Sequence, residues 1–366
     1  MPRETEIRTA LDLLTGSPRG LARLSRSRAA QTTLEQPLRL GKQAWLWSSG
    51  MVGMGIAEKE VCGKTLSKVV LKIYVEKKLP SSKVEHPIPK VVKIGDLPPI
   101  ETDVVPVGRL ELQTIPTPSF SSNTAMIRPA IPGYSIGLGS QTQEAGTFGM
   151  VVRKTGQTAP WYLLSNSHAI AATGCAPKGA AIIQPGGADG GTVPADTIAT
   201  LTDWVPLTFG PGFTNLVDAA IAELSPDVAS AAIAELGVPT GVSTTLKRGD
   251  PVQKMGRTTT LSFARVTDVD FTTTSVYPTC SGGSGNVGFT DQVLVTFYSA
   301  GGDSGSPVLN MQNEVVGLHV AGSATIGMFC KIANVMRLLD VEVVTEKNIN
   351  AVAPRSRKST GWRRTK

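Results

Sequence analysis

A serine set among glycines carries the strongest chemical signal in this chain of 366 residues. Residues 301–307 read GGDSGSP, with Ser304 in the middle. Glycine permits the tight backbone turns that expose a hydroxyl and bring nearby N–H groups toward one point. This arrangement suits acyl transfer with Ser304 as the nucleophile. A serine hydroxyl is a poor nucleophile until a base takes its proton, so the chain should also hold a histidine that acts on Ser304.

Three histidines are available, and their sequence contexts differ. His86 lies in a proline-rich stretch that offers no supporting context. His168 lies in LLSNSHA, an apolar strand that runs into a polar turn. His319 lies inside the apolar stretch EVVGLHVAG, fifteen residues after Ser304. The strand-to-turn context favours His168 as the general base, and the resemblance described next implies the same choice.

These motifs resemble those of the trypsin-like serine proteases. GGDSGSP resembles the family signature GDSGGP, with Ser306 where the family usually has a second glycine, and LLSNSHA is similar to the family segment LTAAHC. The resemblance implies a catalytic triad in the chain order His, Asp, Ser. It also implies an oxyanion hole formed by the N–H groups of Gly302 and Ser304. Asp303 corresponds to the family aspartate that receives a newly cleaved amino terminus when a zymogen is activated.

The aspartate that orients the histidine should lie between His168 and Ser304. The segment NLVDAAIA resembles the family strand D-I-A-L, in which the acid begins an apolar run, so Asp218 is the predicted third member of the triad. Asp196 and Asp203 stay open as alternatives. The remaining aspartates in the interval are Asp189, Asp227, Asp250, Asp268, Asp270 and Asp291.

The strand 314–322 corresponds to one wall of the family's pocket for the side chain before the scissile bond. The predicted substrate-binding residues are His319, Tyr298, Val320 and Gly322. Tyr298 stands where trypsin has an aspartate, so a preference for Arg or Lys has no counter-charge. The G-x-H pattern at 317–319 resembles staphylococcal glutamyl endopeptidases and picornaviral processing proteases, whose histidine donates a hydrogen bond to Glu or Gln. We therefore predict cleavage after Glu or Gln, or failing that after small or apolar residues; the alternative is that His319 is a packed strand residue outside the pocket.

Charge is concentrated at the two ends of the chain. The formal net charge is +7, but residues 1–43 and 351–366 are basic and the body between them is slightly acidic. A nucleic-acid groove in the folded body is therefore disfavoured, while the basic ends could contact acidic partners or nucleic acid. No histidine or cysteine pair has metal-ligand spacing, so we expect no metal and no cofactor. The expected partner is a protein or peptide substrate.

The elements that must position these residues are mostly short strands bounded by Gly, Pro, Asn or Asp. We predict a mostly β fold with two antiparallel six-stranded β-barrels of the chymotrypsin type, preceded by a small α/β or β module. The predicted divisions are a basic flexible segment with a short helix (1–49), the module (50–115), a linker (116–129), a trypsin-like protease domain (130–345) and a basic tail (346–366). Residues 254–260, KMGRTTT, are similar to a strand in the bacterial and plant narrow-leaf type subgroup. The G-x-G-x-x-G pattern at 283–288 is predicted to be a loop.

Neither a secretory signal nor an apolar run of about 18 residues is visible, so the predicted location is cytoplasmic. The Arg- and Ser-rich stretch 19–28 leaves an organelle transit peptide as a weaker alternative. The four cysteines, Cys62, Cys175, Cys280 and Cys330, lie far apart and are predicted to be reduced, mostly buried thiols. We expect Cys175 to lack the disulfide of the secreted enzymes because it does not directly follow His168.

The sequence thus predicts a serine endopeptidase. The rival hypothesis is a catalytically silent scaffold with the protease fold, which binds a partner through its N-terminal module and basic tails. A further hypothesis is that residues 1–128 restrain or direct the activity, against the alternative that they serve packing alone. The natural substrate and the oligomeric state are not predicted.

Overall fold

The computed structural model describes residues 2–16, 44–46, 48, 50–61, 64–112, 122–225 and 227–349. The predicted flexible segment from residue 17 to 43, the first part of the linker and the basic tail from residue 350 onward lie outside the described residues. Within them the fold is mostly β, as predicted, and its strands form two sheets.

The described strands run in two groups along the chain. The first twelve are β1 (Met51–Val61), β2 (Lys64–Val75), β3 (Val91–Val92), β4 (Ile100–Pro106), β5 (Glu111–Leu112), β6 (Ser135–Leu138), β7 (Gly146–Thr147), β8 (Met150–Lys154), β9 (Trp161–Ser165), β10 (Ala181–Ile183), β11 (Thr197–Trp204) and β12 (Ala220–Leu224). The others are β13 (Gly241–Val242), β14 (Pro251–Gly256), β15 (Thr260–Pro278), β16 (Ser284–Thr296), β17 (Pro307–Asn310), β18 (Glu314–Gly322), β19 (Ile326–Lys331) and β20 (Val341–Val343).

Helices are few in the described part of the chain. The α-helices are α1 (Glu4–Thr15), α2 (Ser167–Ile170) and α3 (Ile332–Leu339), and short 3-10 turns lie at Ser81–Lys83, Ala172–Gly174 and Gly187–Asp189. Helix α1 ends at Gly16, whose φ of +61° is a left-handed conformation that favours glycine.

The strands form two sheets that meet at the candidate site. The first sheet has the order β20-β8-β9-β12-β11-β10-β6-β7, and the second has β14-β17-β18-β19-β16-β15-β1-β2-β4-β3. Strand β18 is almost continuously apolar because β17 and β19 flank it and its faces are buried. A core between the two sheets joins Met150 and Leu164 of the first to Leu318 and Val320 of the second. This packing fixes the position of one sheet relative to the other.

The second sheet continues into the N-terminal module. Strand β1 pairs antiparallel with β15, through Gly53 opposite Thr273, and β2 then pairs with β1. Helix α1 buries Ile7 and Leu11 in the core of this module. The module and the protease region therefore share one hydrogen-bonded sheet.

The prediction of a loop at residues 283–288 is wrong. Residues 284–288 begin β16, where Ser284 pairs with Pro278 and Gly288 pairs with Thr274 of the long strand β15. Neighbouring backbone approaches this strand so closely that Gly288 has no room for a side chain. A Cβ there would lie 1.9 Å from the carbonyl oxygen of Gly212. The partner strand supplies the hydrogen bonds, so low local β-propensity does not prevent pairing.

A buried carboxyl lies where the module joins the protease region. Asp268 accepts a 3.0 Å hydrogen bond from the Tyr74 hydroxyl of β2 and a 2.9 Å bond from the Asp270 N–H. It is fully buried, and Gly55 is required beside it because a Cβ there would lie 1.8 Å from Oδ2. Burial raises the pKa of Asp268 to about 7, and the nearby charge of Asp270 acts in the same direction.

Stability is therefore expected to fall as pH rises through neutrality. The folded-state pKa of Asp268, about 7, exceeds its unfolded value, so the carboxyl's stabilising contribution is complete below about pH 4 and is lost as pH rises through 7. Between about pH 4 and pH 7, the free energy of unfolding should fall with a slope on the order of 1 kcal/mol per pH unit. Asp268→Asn should flatten it and raise Tm at pH 8 relative to wild type. Thermal unfolding from pH 5 to 8 checks this, with exposed Asp96→Asn as the control; an unchanged slope in Asp268→Asn would contradict it.

Candidate active site

His168 is held at the end of the first sheet. Strand β9 ends at Ser165, and the short helix α2 begins at Ser167, so the backbone that carries the His168 imidazole is held in place. The preceding Asn166 donates a 2.7 Å hydrogen bond from Nδ2 to the carbonyl oxygen of Asp218. This bond ties the His168 turn to the residue that precedes β12 by two positions.

Asp218 is fully buried and receives hydrogen bonds from three donors. Its carboxylate contacts His168 Nδ1, accepts the His168 backbone N–H at 3.2 Å and accepts the Tyr277 hydroxyl at 2.8 Å. Burial alone would raise its pKa, but the charge of His168 and these hydrogen bonds outweigh burial and lower the pKa below its usual value. Asp218 is therefore suited to remain an anion that fixes the imidazole.

Ser304 completes a continuous hydrogen-bonded chain across the two sheets. His168 Nε2 lies 2.8 Å from Ser304 Oγ, and Ser304 Oγ also lies 3.2 Å from the carbonyl oxygen of Val320 in β18. The structure thus brings together the three residues predicted for the triad. The alternative acids lie elsewhere: Asp196 accepts hydrogen bonds from Thr192, and Asp203 pairs with Lys178.

The backbone around Ser304 is fixed by two threonines. Thr258 Oγ1 donates a 2.5 Å hydrogen bond to the carbonyl oxygen of Gly301, and a trans peptide therefore directs the N–H of Gly302 away from Thr258. Gly302 has φ of +97°, and a Cβ there would lie 2.5 Å from Thr258 Oγ1. On the other side, Thr147 donates from Oγ1 to the Gly302 carbonyl at 3.0 Å and from its N–H to the Ser304 carbonyl at 2.7 Å.

A buried ion pair lies directly behind this turn. Lys254 Nζ lies 3.2 Å from Asp303 Oδ2, and both side chains are fully buried. Burial alone would raise the pKa of Asp303, but Lys254 and hydrogen bonds from Thr259, Ala300 and Thr258 lower it. Burial lowers the pKa of Lys254, with Asp303 opposing that effect. Lys254 thus places a positive charge beside Asp303 from within the chain.

The predicted pocket residues lie beside this pair. The Tyr298 hydroxyl lies 3.1 Å from His319 Nδ1, and both side chains are buried. Burial lowers the pKa of His319 to about 3, and the charge of Lys254 adds to this, so the imidazole is neutral at neutral pH. Val320 offers its carbonyl to Ser304, and Gly322 pairs with Gly327 of β19.

Sequence reasoning did not identify Lys254, Tyr277 or Thr258 as parts of the site. Lys254 belongs to the stretch PVQKMG, in which a charged residue lies inside an otherwise strand-like run; that was the available signal for a buried ion pair. Tyr277 had no local signal, because it reaches Asp218 from β15, 59 residues along the chain.

The prediction of reduced cysteines is wrong for two of the four. Cys175 and Cys280 form a disulfide that links the turn following His168 to the end of β15. They are 105 residues apart, so no spacing motif marked the pair. Cys330 is a free, buried thiol, whereas Cys62 lies outside the described residues.

One family model matches the middle of the chain. Residues 146–318 match the model of the trypsin-like peptidase domain family. This stretch contains His168, Asp218 and Ser304, and the fold is chymotrypsin-like, as predicted. No curated protein sequence matches the chain significantly.

The similar solved structures share little sequence with this chain. Thermobifida fusca protease A has 17% identity and a TM-score of 0.41, and the match covers 59% of this chain and 98% of that one. Cellulomonas bogoriensis chymotrypsin has 17% identity and a TM-score of 0.40, with the same coverage. A glutamic acid specific serine protease described as using a histidine triad in substrate binding has 18% identity and a TM-score of 0.40, covering 59% of this chain and 100% of that one. Among the described residues, no helix is long and apolar enough to cross a membrane.

Proposed function

We propose that this chain is a serine endopeptidase that hydrolyses peptide bonds through an acyl-enzyme intermediate. The observation that carries the proposal is the buried chain of contacts from Ser304 Oγ to His168 Nε2 and from His168 Nδ1 to Asp218. A nucleophile, a base in reach of it and a carboxylate that orients the base are the three parts that acyl transfer by serine requires.

The steps of the proposed reaction are divided among these residues. Ser304 Oγ attacks the peptide carbonyl carbon while His168 Nε2 takes the hydroxyl proton, and the N–H groups of Gly302 and Ser304 donate to the developing oxyanion. His168 then gives its proton to the leaving amine, which leaves an ester on Ser304. A water molecule, deprotonated by His168, hydrolyses that ester. Asp218 stays anionic and stabilises the imidazolium throughout.

Labelling with a fluorophosphonate probe tests the proposal against the silent-scaffold alternative. Wild type should form a covalent adduct at Ser304 and hydrolyse a protein substrate, whereas Ser304→Ala should do neither. The matched control is Ser306→Ala, two residues away in the same turn, which should still be labelled. A folded wild-type chain that resists labelling would favour the scaffold.

For specificity, we propose cleavage after Gln or Glu. A neutral imidazole carries one N–H, and a Tyr298 hydroxyl that donates to His319 Nδ1 leaves that hydrogen on Nε2. Such a donor suits an amide or carboxylate oxygen. Because neutral His319 brings no positive charge, Gln should be accepted at least as well as Glu.

The predicted result is a loss of selectivity when His319 is changed. His319→Ala should lower kcat/KM on a Gln substrate about 10- to 100-fold relative to an Ala substrate, the range expected for one buried hydrogen bond. Profiling on a proteome-derived peptide library measures this, with Tyr298→Phe as the milder variant that removes only the hydroxyl. A dominant Arg or Lys preference, or an unchanged profile in His319→Ala, would contradict the assigned role. Cleavage after small or apolar residues is the alternative specificity.

The cytoplasmic location and the contacts of the basic ends stay predictions. The Cys175–Cys280 disulfide counts against the first, because disulfides persist mainly in oxidising compartments. The tail from residue 350 onward lies outside the described residues, so its proposed acidic or nucleic-acid partners rest on charge alone.

A further inference from the structure

The short strand β5 pairs with β18 beside the nucleophile. Leu112 lies opposite Ala321, and Glu111 lies opposite Gly322. Ala321 directly follows Val320, whose carbonyl oxygen is 3.2 Å from Ser304 Oγ. Strand β17 pairs with β18 only from Val315 to Leu318, and β19 pairs along its other side to Gly322. Strand β5 therefore lies on the part of β18 that directly follows its contact with Ser304.

The direction of β5 is the one a substrate would take. The pairing is antiparallel, so the chain runs from Glu111 opposite Gly322 to Leu112 opposite Ala321, toward Val320 and the nucleophile. An extended peptide that adds to this edge in the same sense would present its next carbonyl group to Ser304. Adding a strand to an exposed edge is a general way to hold a peptide, because main-chain hydrogen bonds do not depend on sequence.

The segment is anchored immediately before it reaches this edge. The Val107 carbonyl accepts hydrogen bonds from Ser323 Oγ at 2.5 Å and Thr325 Oγ1 at 2.8 Å, and the Val107 N–H donates to Val75 at 2.8 Å. Gly108, with φ of +73°, then turns the chain. Leu112 packs against the core between the sheets.

We propose that Glu111–Leu112 occupies the position of the acyl-side part of a substrate, so that the chain competes with its own substrates. This inference rests on the proposed protease activity. An intramolecular competitor acts at high effective concentration, so even a weak two-residue pairing can exclude peptides that need the same edge. Extended substrates must displace β5, whereas small reagents that need only Ser304 need not.

Two probes with different needs test this on the full chain. The first is a small fluorophosphonate, and the second is a tetrapeptidyl diphenyl phosphonate ending in the residue that the peptide library prefers. Proline lacks an N–H, so Glu111→Pro/Leu112→Pro removes the pairing whichever residue donates. This variant should react with the peptidyl probe about tenfold faster than wild type, the effect of roughly one hydrogen bond, and with the small probe at the wild-type rate.

The control variant is Glu111→Ala/Leu112→Ala, which keeps both N–H groups and should react with the peptidyl probe more slowly than the proline variant. Equal peptidyl-probe rates for wild type and the proline variant would overturn the inference. If no folded chain reacts with the small probe, the protease proposal itself fails, so the two failures are distinguishable.

Hydrogen exchange on wild type gives an answer even if the proline variant does not fold. The amide of β5 that bonds to β18, at Glu111 or Leu112, should exchange faster once the peptidyl phosphonate is bound to Ser304, because β5 has been displaced. It should stay protected with the small fluorophosphonate bound. Protection that persists under the peptidyl adduct would show that β5 and substrate do not share the edge.

Discussion

Ser304→Ala is expected to lower kcat by about 10⁴- to 10⁶-fold without unfolding the chain, because triad members act as a unit. His168→Ala should cause a loss of similar size. The double variant should lose little more, since removing either residue already breaks proton transfer between Ser304 Oγ and His168 Nε2. Single-turnover kinetics on a peptide ester and on the matching amide measure the loss, and additive losses in the double variant would contradict a shared role.

Asp218→Asn tests the remaining member of the same unit. An amide can donate where the carboxylate only accepts, so it should favour the wrong imidazole tautomer and lower kcat about 10⁴-fold. The Tyr277 hydroxyl should still bond to the Asn oxygen, so the fold should persist. Asp196→Asn and Asp203→Asn are the matched controls, because these acids bind Thr192 and Lys178 instead. Near-normal turnover in Asp218→Asn with loss in either control would reassign the acid.

Features set by neighbouring residues could be predicted from the sequence. The turn at Ser304 depends on adjacent glycines, and strands such as β14, β16 and β18 are marked by their own apolar runs. The choice of Asp218 over the other aspartates needed the family resemblance, because several carboxylates lay in the interval. The structure brings Asp218 to His168 through the pairing of β9 with β12.

Features that depend on distant partners could not be predicted. The G-x-G-x-x-G pattern at 283–288 precedes a strand instead of joining a strand to a helix, so the sequence predicts a loop, yet β15 supplies a full hydrogen-bonding partner for residues 284–288. The Cys175–Cys280 bond joins residues 105 positions apart. The sheet that continues through β1 into the N-terminal module needed the register of Gly53 opposite Thr273, which no local pattern specifies.

Lys254→Met is expected to destabilise the chain by about 3–5 kcal/mol, since removing one partner of a buried ion pair leaves the other charge uncompensated. Asp303 lies between Gly302 and Ser304, and it accepts the N–H groups of Ala300 and Thr258, each at 2.9 Å. A carboxylate that reorients would move both N–H groups of the proposed oxyanion hole. The kcat should therefore fall about 10²- to 10³-fold, as for loss of one oxyanion donor.

The double variant Lys254→Met/Asp303→Asn separates a charge effect from a packing effect. It removes both charges while Asn keeps an oxygen that can accept from Thr258, so it should regain most of the lost stability. The sign of the pH effect gives a second check. Without Lys254, the burial of Asp303 is opposed only by its hydrogen bonds, so its pKa should rise above the wild-type value and protonation at low pH should relieve the uncompensated charge. In chemical unfolding, Lys254→Met should therefore lose less stability at pH 5 than at pH 8. Equal losses of stability at the two pH values, with no rescue by Asp303→Asn, would mean that Lys254 acts through packing alone.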